Sequence, residues 1–170
     1  MGGIGRNLKK KAEAFGMTVI YHNRRQLEDS EAGGAEYVSF EDLLRKSDVL
    51  SLNLPLNPKT RHIISTEQLK LMKPTAIIVN TARGAIIDEA ALVDSLDRDI
   101  IAGVGLDVFE EEPKVHPGLV RNEKVILLPH MGTWTSETIK KMEEWAIENV
   151  RLAVETGKLK SPIFEQKGMQ

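Results

Sequence analysis

Ala76-Ile77-Ile78-Val79, followed at once by Asn80-Thr81-Ala82-Arg83-Gly84, is the stretch that decides the fold. Four apolar residues with no polar alternate read as a strand buried on both faces, the habit of parallel strands covered by helices. The polar run then falls at that strand's carboxyl end. Working outward, Met17 to Tyr21 and Val49 to Leu54 (ended by Pro55) read as strands before it, and Ile100 to Leu106 and Val125 to Leu128 after it. Helical stretches lie between and around them. These are Arg6 to Phe15 stopped by Gly16, Phe40 to Lys46, Thr66 to Met72 behind Ser65, Asp88 to Leu96, and Thr133 to Thr156 closed by Gly157. Arg24 to Ala35 is polar and contains glycine, and reads as a loop. Strand and helix alternating at this spacing predict the α/β class with a doubly wound parallel sheet.

The composition narrows the function. A length of 170 residues is that of one ordinary domain. With 41% hydrophobic and 28% charged residues the chain is globular rather than disordered. Its 23 basic and 25 acidic residues leave a net charge of −2, so there is no basic field for nucleic acid or an anionic membrane. The count of 0 cysteines excludes a disulfide scaffold, thiolate catalysis and cysteine-held metal centres, and no metal site is expected. No apolar run is long enough for a bilayer, and residues 1–11 lack the apolar stretch of a signal peptide. The expectation is a soluble, cytoplasmic protein.

In an open parallel sheet, ligands bind beyond the carboxyl ends of the strands. The polar residues that follow the strands here are His22-Asn23-Arg24-Arg25, Pro55-Leu56-Asn57, Asn80 to Gly84, Asp107, and Pro129-His130. A glycine cluster precedes the first helix. Gly2-Gly3-Ile4-Gly5 supplies the last two glycines of a G-x-G-x-x-G phosphate loop, as Gly2-x-x-Gly5. The helix behind it would turn N–H groups and a positive dipole end toward phosphates. Asn23 stands 18 residues after Gly5, near the place where an Asp or Glu normally bonds the adenosine ribose. Asn does not repel a 2′-phosphate, and Arg24 and Arg25 follow at once. The pattern favours NADP(H), with NAD(H) as the alternative cofactor.

Three ordered motifs carry a family resemblance: Asn80-Thr81-Ala82-Arg83-Gly84, Gly105-Leu106-Asp107-Val108-Phe109-Glu110-Glu111-Glu112-Pro113, and Pro129-His130-Met131-Gly132-Thr133. From Met1 to about Pro162 the chain resembles the Rossmann-type cofactor domain of the D-isomer-specific 2-hydroxyacid dehydrogenases. Tyr21 to Leu27 and His130 to Trp134 are most similar to the fungal glyoxylate/hydroxypyruvate reductase-like members. The resemblance implies three catalytic residues. Arg83 would grip the substrate carboxylate, in keeping with a planar, permanently charged guanidinium. His130 would be the general acid/base, and Glu112, which directly precedes Pro113, the acid that orients it and favours its charged form. Glu110 and Glu111 read as solvated, and His62 and His116 as structural. Cofactor contacts are implied for Gly2, Gly3, Ile4, Gly5, Asn23, Arg24, Arg25, Pro55, Thr81, Ala82, Asp107, His130 and Gly132, while Trp134 would either border the substrate or be buried on its helix.

The resemblance also implies what is missing. Met1 stands where the second residue of the glycine loop belongs, so the first glycine and the strand before it are absent. That strand lies in the family's sheet between the strand ending at Tyr21 and the one ending at Leu54. The fold expected is therefore an N-terminally truncated doubly wound sheet that also lacks the substrate domain. Residues 1–157 form the incomplete dinucleotide-binding domain, and residues 158–170 a tail. Part of that tail, Lys158 to Phe164, is the return toward the substrate domain. The implied activity is reduction of a small 2-keto acid, glyoxylate or hydroxypyruvate, to the 2-hydroxy acid by a nicotinamide-dependent enzyme, with homodimers expected for full-length members. The alternative is a catalytically silent nucleotide-binding or interaction module.

Overall fold

The structure is a computed structural model that describes residues 1–162. Two compact units divide the chain, Met1–His130 and Met131–Gln170.

In the first unit, helix α1 (Gly3–Ala14) starts directly on the glycine cluster, and Gly16, at a φ of 75°, ends it in the left-handed region. Strand β1 (Ile20–Tyr21), helix α2 (Asp29–Ala32) and strand β2 (Glu36–Tyr37) follow. Helix α3 (Phe40–Lys46) begins where the Ser39 hydroxyl accepts the Asp42 N–H at 3.0 Å. Strand β3 (Val49–Leu52) leads to helix α4 (Thr66–Leu69), where Gln68 Oε1 accepts the Ser65 N–H at 3.2 Å. Strand β4 (Ile77–Asn80) ends in the motif loop and a 3₁₀ turn over Gly84–Ile86. Helix α5 (Glu89–Asp97) is capped by the Asp88 carboxylate, which accepts the Ala91 N–H at 3.1 Å and the Ser65 hydroxyl at 2.9 Å. Strand β5 (Gly103–Leu106), helix α6 (Pro117–Val120) and strand β6 (Val125–Leu127) complete the unit.

Among the described residues, the pairings between β1 and β2 and along β3 to β6 are all parallel. One sheet has the order β3-β4-β5-β6, with Leu50 opposite Ile78, Ile78 opposite Val104 and Leu106 opposite Leu127. The other contains β1 and β2 alone. Among the described residues no strand bridges β1 and β3, the position at which the family resemblance places a further strand. The doubly wound sheet is thus present in two pieces.

Leu50, Leu52, Ile78, Val104 and Leu106 line one face of the larger sheet and form one core with Leu44, Ile64, Leu69, Leu92 and Leu96 from the helical side. Full burial of the apolar strands is corrected on the opposite face. Val49, Ile77 and Ile126 are 49%, 42% and 69% exposed there. Period-2 alternation sends neighbouring residues to opposite faces, so the uninterrupted apolar run of β4 serves one covered face and one open one. The stretch read as a loop, Arg24 to Ala35, contains the one-turn α2, and β2 and α6 also went unread. Elements of 2 to 4 residues are too short to show a hydrophobic period.

In the second unit, helix α7 (Ser136–Thr156) starts where the Thr135 hydroxyl accepts the Thr138 N–H at 3.1 Å and stops at Gly157, whose φ is 70°. The chain then folds back. The Trp145 indole N–H donates to Ser161 Oγ at 2.9 Å, and Asn149 Oδ1 accepts the Ser161 N–H at 3.1 Å. Trp134 is exposed, so it is not a buried helix aromatic. Of the tail 158–170 and the return expected near Lys158 to Phe164, residues 163–170 lie outside the described residues. Among the described residues no helix is long and apolar enough to cross a membrane.

Candidate active site

The site begins with Asn80, the last residue of β4 and fully buried. Its side chain ties the loop that follows: Oδ1 accepts the Ala82 N–H at 3.0 Å and Nδ2 donates to the Arg83 carbonyl at 3.0 Å. The Asn80 carbonyl accepts the Asp107 N–H at 3.0 Å, which joins the ends of β4 and β5. Arg83 is exposed, with Nη1 donating to the Ala82 carbonyl at 2.6 Å. Gly84 presses on the next segment. A Cβ there would lie 1.9 Å from the Phe109 carbonyl carbon and 2.4 Å from the Glu110 nitrogen. Glycine alone permits that approach, and it sets the Arg83 loop directly against the chain leading to Glu112.

Glu112 accepts the Phe109 N–H through Oε1 at 2.9 Å, and its Oε2 lies 2.8 Å from His130 Nδ1. Partial burial pushes the Glu112 carboxyl upward. The His130 hydrogen bond, the Phe109 N–H and the charges of His130 and Arg83 outweigh it, so its pKa lies below the ordinary glutamate value. His130 itself holds a φ of 54°, an uncommon conformation for a residue with a side chain. Between Glu110, Glu111 and Glu112, it is Glu112 that faces the histidine. Glu110 corrects the expectation of a solvated residue: its Oε1 accepts from Arg61 at 2.6 Å and lies 2.6 Å from His62 Nε2, with its side chain 18% exposed. His62 is therefore a hydrogen-bond partner of Glu110, and His116 Nδ1 accepts the Gly118 N–H at 3.1 Å at the start of α6.

A cleft of about 480 Å³ lies between the start of α1 and the ends of β3 and β4, lined by Gly2 to Gly5, Pro55, Leu56 and Thr81 to Arg83. Gly2 and Gly3 border open space, with no atom within 4 Å of an added Cβ. The first turn of α1 carries no acidic residue and no side-chain cap, so its N–H groups stay available to an anion. Asn23 joins this end through Oδ1, which accepts from the Met1 ammonium. A second cleft of about 470 Å³ is walled by Asp88, Glu89, Glu110 and Glu111 together with Lys114 and His116.

Arg24 and Arg25 are exposed beyond β1, and Asp107 is buried beyond β5. Gly132 belongs to the second unit. Asn80 and Gly84 are the positioning residues whose individual roles sequence reading did not assign. An Asn two residues before a chain reversal carries a turn signal, whereas the Gly84 contact bridges distant segments and leaves no local mark.

Parallel strands, a helix opened by glycines and a cleft at the strands' carboxyl ends define a dinucleotide-binding domain. The family model for the NAD binding domain of D-isomer specific 2-hydroxyacid dehydrogenases matches residues 1–132, and the chain belongs to that family. A 4-methyl-2-oxopentanoate reductase A of Aspergillus oryzae is 55% identical over 169 residues, which is 99% of this chain and 51% of the relative. The crystal structure of a glyoxylate reductase from Paecilomyes thermophila matches with a TM-score of 0.96 and 55% identity, over 98% of this chain and 51% of that one. The NADPH-dependent glyoxylate/hydroxypyruvate reductase of Sinorhizobium meliloti, in complex with NADP and malonate, matches with a TM-score of 0.91 and 33% identity, over 96% and 51%. The chain spans about half the length of these relatives.

Proposed function

We propose that this sequence is the cofactor-binding half of an NADP(H)-dependent reductase of a small 2-keto acid, glyoxylate or hydroxypyruvate, with residues 1–157 as its dinucleotide-binding domain. The observation that carries the reading is the cleft that gathers the Gly2–Gly5 turn and Thr81–Arg83, together with Glu112 Oε2 held 2.8 Å from His130 Nδ1. The residues fit a nicotinamide dinucleotide. The open glycine turn and the uncapped α1 terminus suit a pyrophosphate, while Asn23, Arg24 and Arg25, which follow β1, bring two exposed cations and no carboxylate of their own, as an adenosine 2′-phosphate requires.

When bound, the dihydronicotinamide supplies the hydride that adds to the C2 carbonyl carbon. The Arg83 guanidinium binds the substrate carboxylate and draws electron density from the neighbouring carbonyl. Glu112 holds the imidazole through Nδ1, leaving Nε2 to donate a proton to the carbonyl oxygen as the hydride arrives. The Sinorhizobium meliloti relative, described as NADPH-dependent, supports the cofactor choice.

The test is a chimera in which residues 1–162 replace the equivalent half of the Paecilomyes thermophila relative, assayed for NADPH oxidation with glyoxylate, hydroxypyruvate and 4-methyl-2-oxopentanoate. Turnover with one of the first two that falls at least about 100-fold in His130→Ala is expected. Turnover that survives His130→Ala refutes the catalytic assignment. Selective use of 4-methyl-2-oxopentanoate refutes the substrate.

A further inference from the structure

The loop that carries Asn23, Arg24 and Arg25 is held at both ends by the 2 tyrosines of the chain. Tyr21 and Tyr37 are opposite one another in the β1–β2 pair, and their rings meet edge-on with centroids 5.4 Å apart. From that shared base each hydroxyl reaches a different part of the loop. Tyr37 Oη donates to the Asn23 carbonyl at 3.1 Å, and Tyr21 Oη accepts the Leu27 N–H at 3.0 Å. His22 completes the base, stacked on Tyr37 at 5.7 Å with its Nδ1 3.0 Å from the Val38 carbonyl.

A peptide unit is planar, so a bond to its carbonyl fixes the orientation of the whole unit. The Asn23 carbonyl belongs to the peptide that joins Asn23 to Arg24. The Tyr37 hydroxyl therefore sets the direction in which the chain leaves Asn23 and from which the Arg24 side chain starts. Arg24 and Arg25 are exposed and form no ion pair among the described residues. Long cations on an unrestrained loop lose much of their attraction for an anion to the entropy of ordering, and a backbone ordered in advance avoids that loss.

We propose that Tyr37 is a positioning residue for cofactor choice: its hydroxyl orients the Asn23–Arg24 peptide so that Arg24 and Arg25 meet a ribose 2′-phosphate. The inference rests on the NADP(H) reading above and extends it to a residue that acts through the backbone of the loop. It predicts a loss confined to ligands that carry the 2′-phosphate. The two halves of the question separate cleanly with 2′,5′-ADP and 5′-AMP, which share an adenosine and differ at that phosphate.

Both nucleotides are titrated calorimetrically into the 170-residue chain, Tyr37→Phe, Arg24→Ala/Arg25→Ala and the triple variant, with circular dichroism of each. Tyr37→Phe is expected to weaken 2′,5′-ADP about fivefold and to leave 5′-AMP within about twofold. In the double-arginine background the same change should have no further effect on 2′,5′-ADP. An unchanged preference in Tyr37→Phe, an equal loss of both nucleotides, a further loss in the triple variant, or an unfolded Tyr37→Phe chain each overturns the positioning role. A wild-type chain that binds 5′-AMP as well as 2′,5′-ADP instead overturns the NADP(H) reading on which the role rests.

Discussion

Asn80→Asp isolates the polar clamp beneath the Arg83 loop, because it changes one group and almost no volume. The new carboxylate still accepts the Ala82 N–H through the oxygen that occupies the Oδ1 position, 3.0 Å from that nitrogen. Its other oxygen replaces the Nδ2 donor and faces the Arg83 carbonyl at 3.0 Å, an acceptor against an acceptor. The site is 0% exposed, so water does not relieve the contact. One hydrogen bond is lost, the Arg83 carbonyl keeps only the Ile86 N–H at 3.3 Å, and a charge is buried, for a combined cost of about 2–4 kcal/mol near pH 7. Burial and the facing carbonyl would raise the pKa of the introduced acid. Its protonated form carries an O–H that can donate to Arg83 in place of Nδ2. The penalty is therefore full above that raised pKa and shrinks as pH falls through it. Urea unfolding of the wild type and Asn80→Asp at about pH 7.5 and about pH 5 measures the gap at each end. A gap that is absent at the higher pH, or identical at both, refutes the clamp.

Gly84→Ala places a carbon 1.9 Å from the Phe109 carbonyl carbon, so the Arg83 loop must recede by about 1.5 Å to restore ordinary contact. A stability loss of about 3 kcal/mol by urea unfolding is expected, and a neutral substitution would contradict the close approach. Asp88→Ala removes the cap of α5 and the partner of the Ser65 hydroxyl, costing about 1–2 kcal/mol at pH 7. Burial raises the Asp88 pKa, but its hydrogen bonds from Ala91 and Ser65 and the nearby His62 lower it overall. The cap's contribution is thus present above the ordinary aspartate range and disappears as pH falls through the lowered value, and a pH series of unfolding curves should show the gap to the variant closing below about pH 4. Glu112→Gln in the chimera keeps a hydrogen-bonding side chain against His130 but removes its charge. It should lower kcat about 10- to 100-fold with little change in the KM for glyoxylate, and an unchanged kcat would remove Glu112 from the proton step.

The strands that frame the site were readable because apolar runs such as Ala76 to Val79 and Val49 to Leu54 end in polar residues or proline, a signal contained within a few neighbours. The start of α1 was readable for the same reason, since Gly2 to Gly5 stands directly before a helical stretch. Glu112 was picked out by its place before Pro113, and the structure sets that residue against His130. Glu110 was misread, because its partners Arg61 and His62 lie 49 and 48 residues away and leave no trace in its own surroundings. The loop read over Arg24 to Ala35 hid α2, whose 4 residues make too little of a turn to impose a period.

Local chemistry therefore determined the order of strands and helices, the glycine turn and the types of side chain that stand at the strand ends. These follow from the backbone preferences and burial of residues next to one another. Tertiary structure decided which of those side chains meet: Gly84 against the Phe109 backbone, Glu112 with a histidine 18 residues on, and Tyr37 beneath the Asn23 carbonyl. It also showed that β1 and β3 stand in separate sheets, although each reads as an ordinary strand. The physical reason is one of range. A residue's conformation answers mainly to its neighbours in the chain, whereas a site is made of contacts between segments that come together only when the sheet is built.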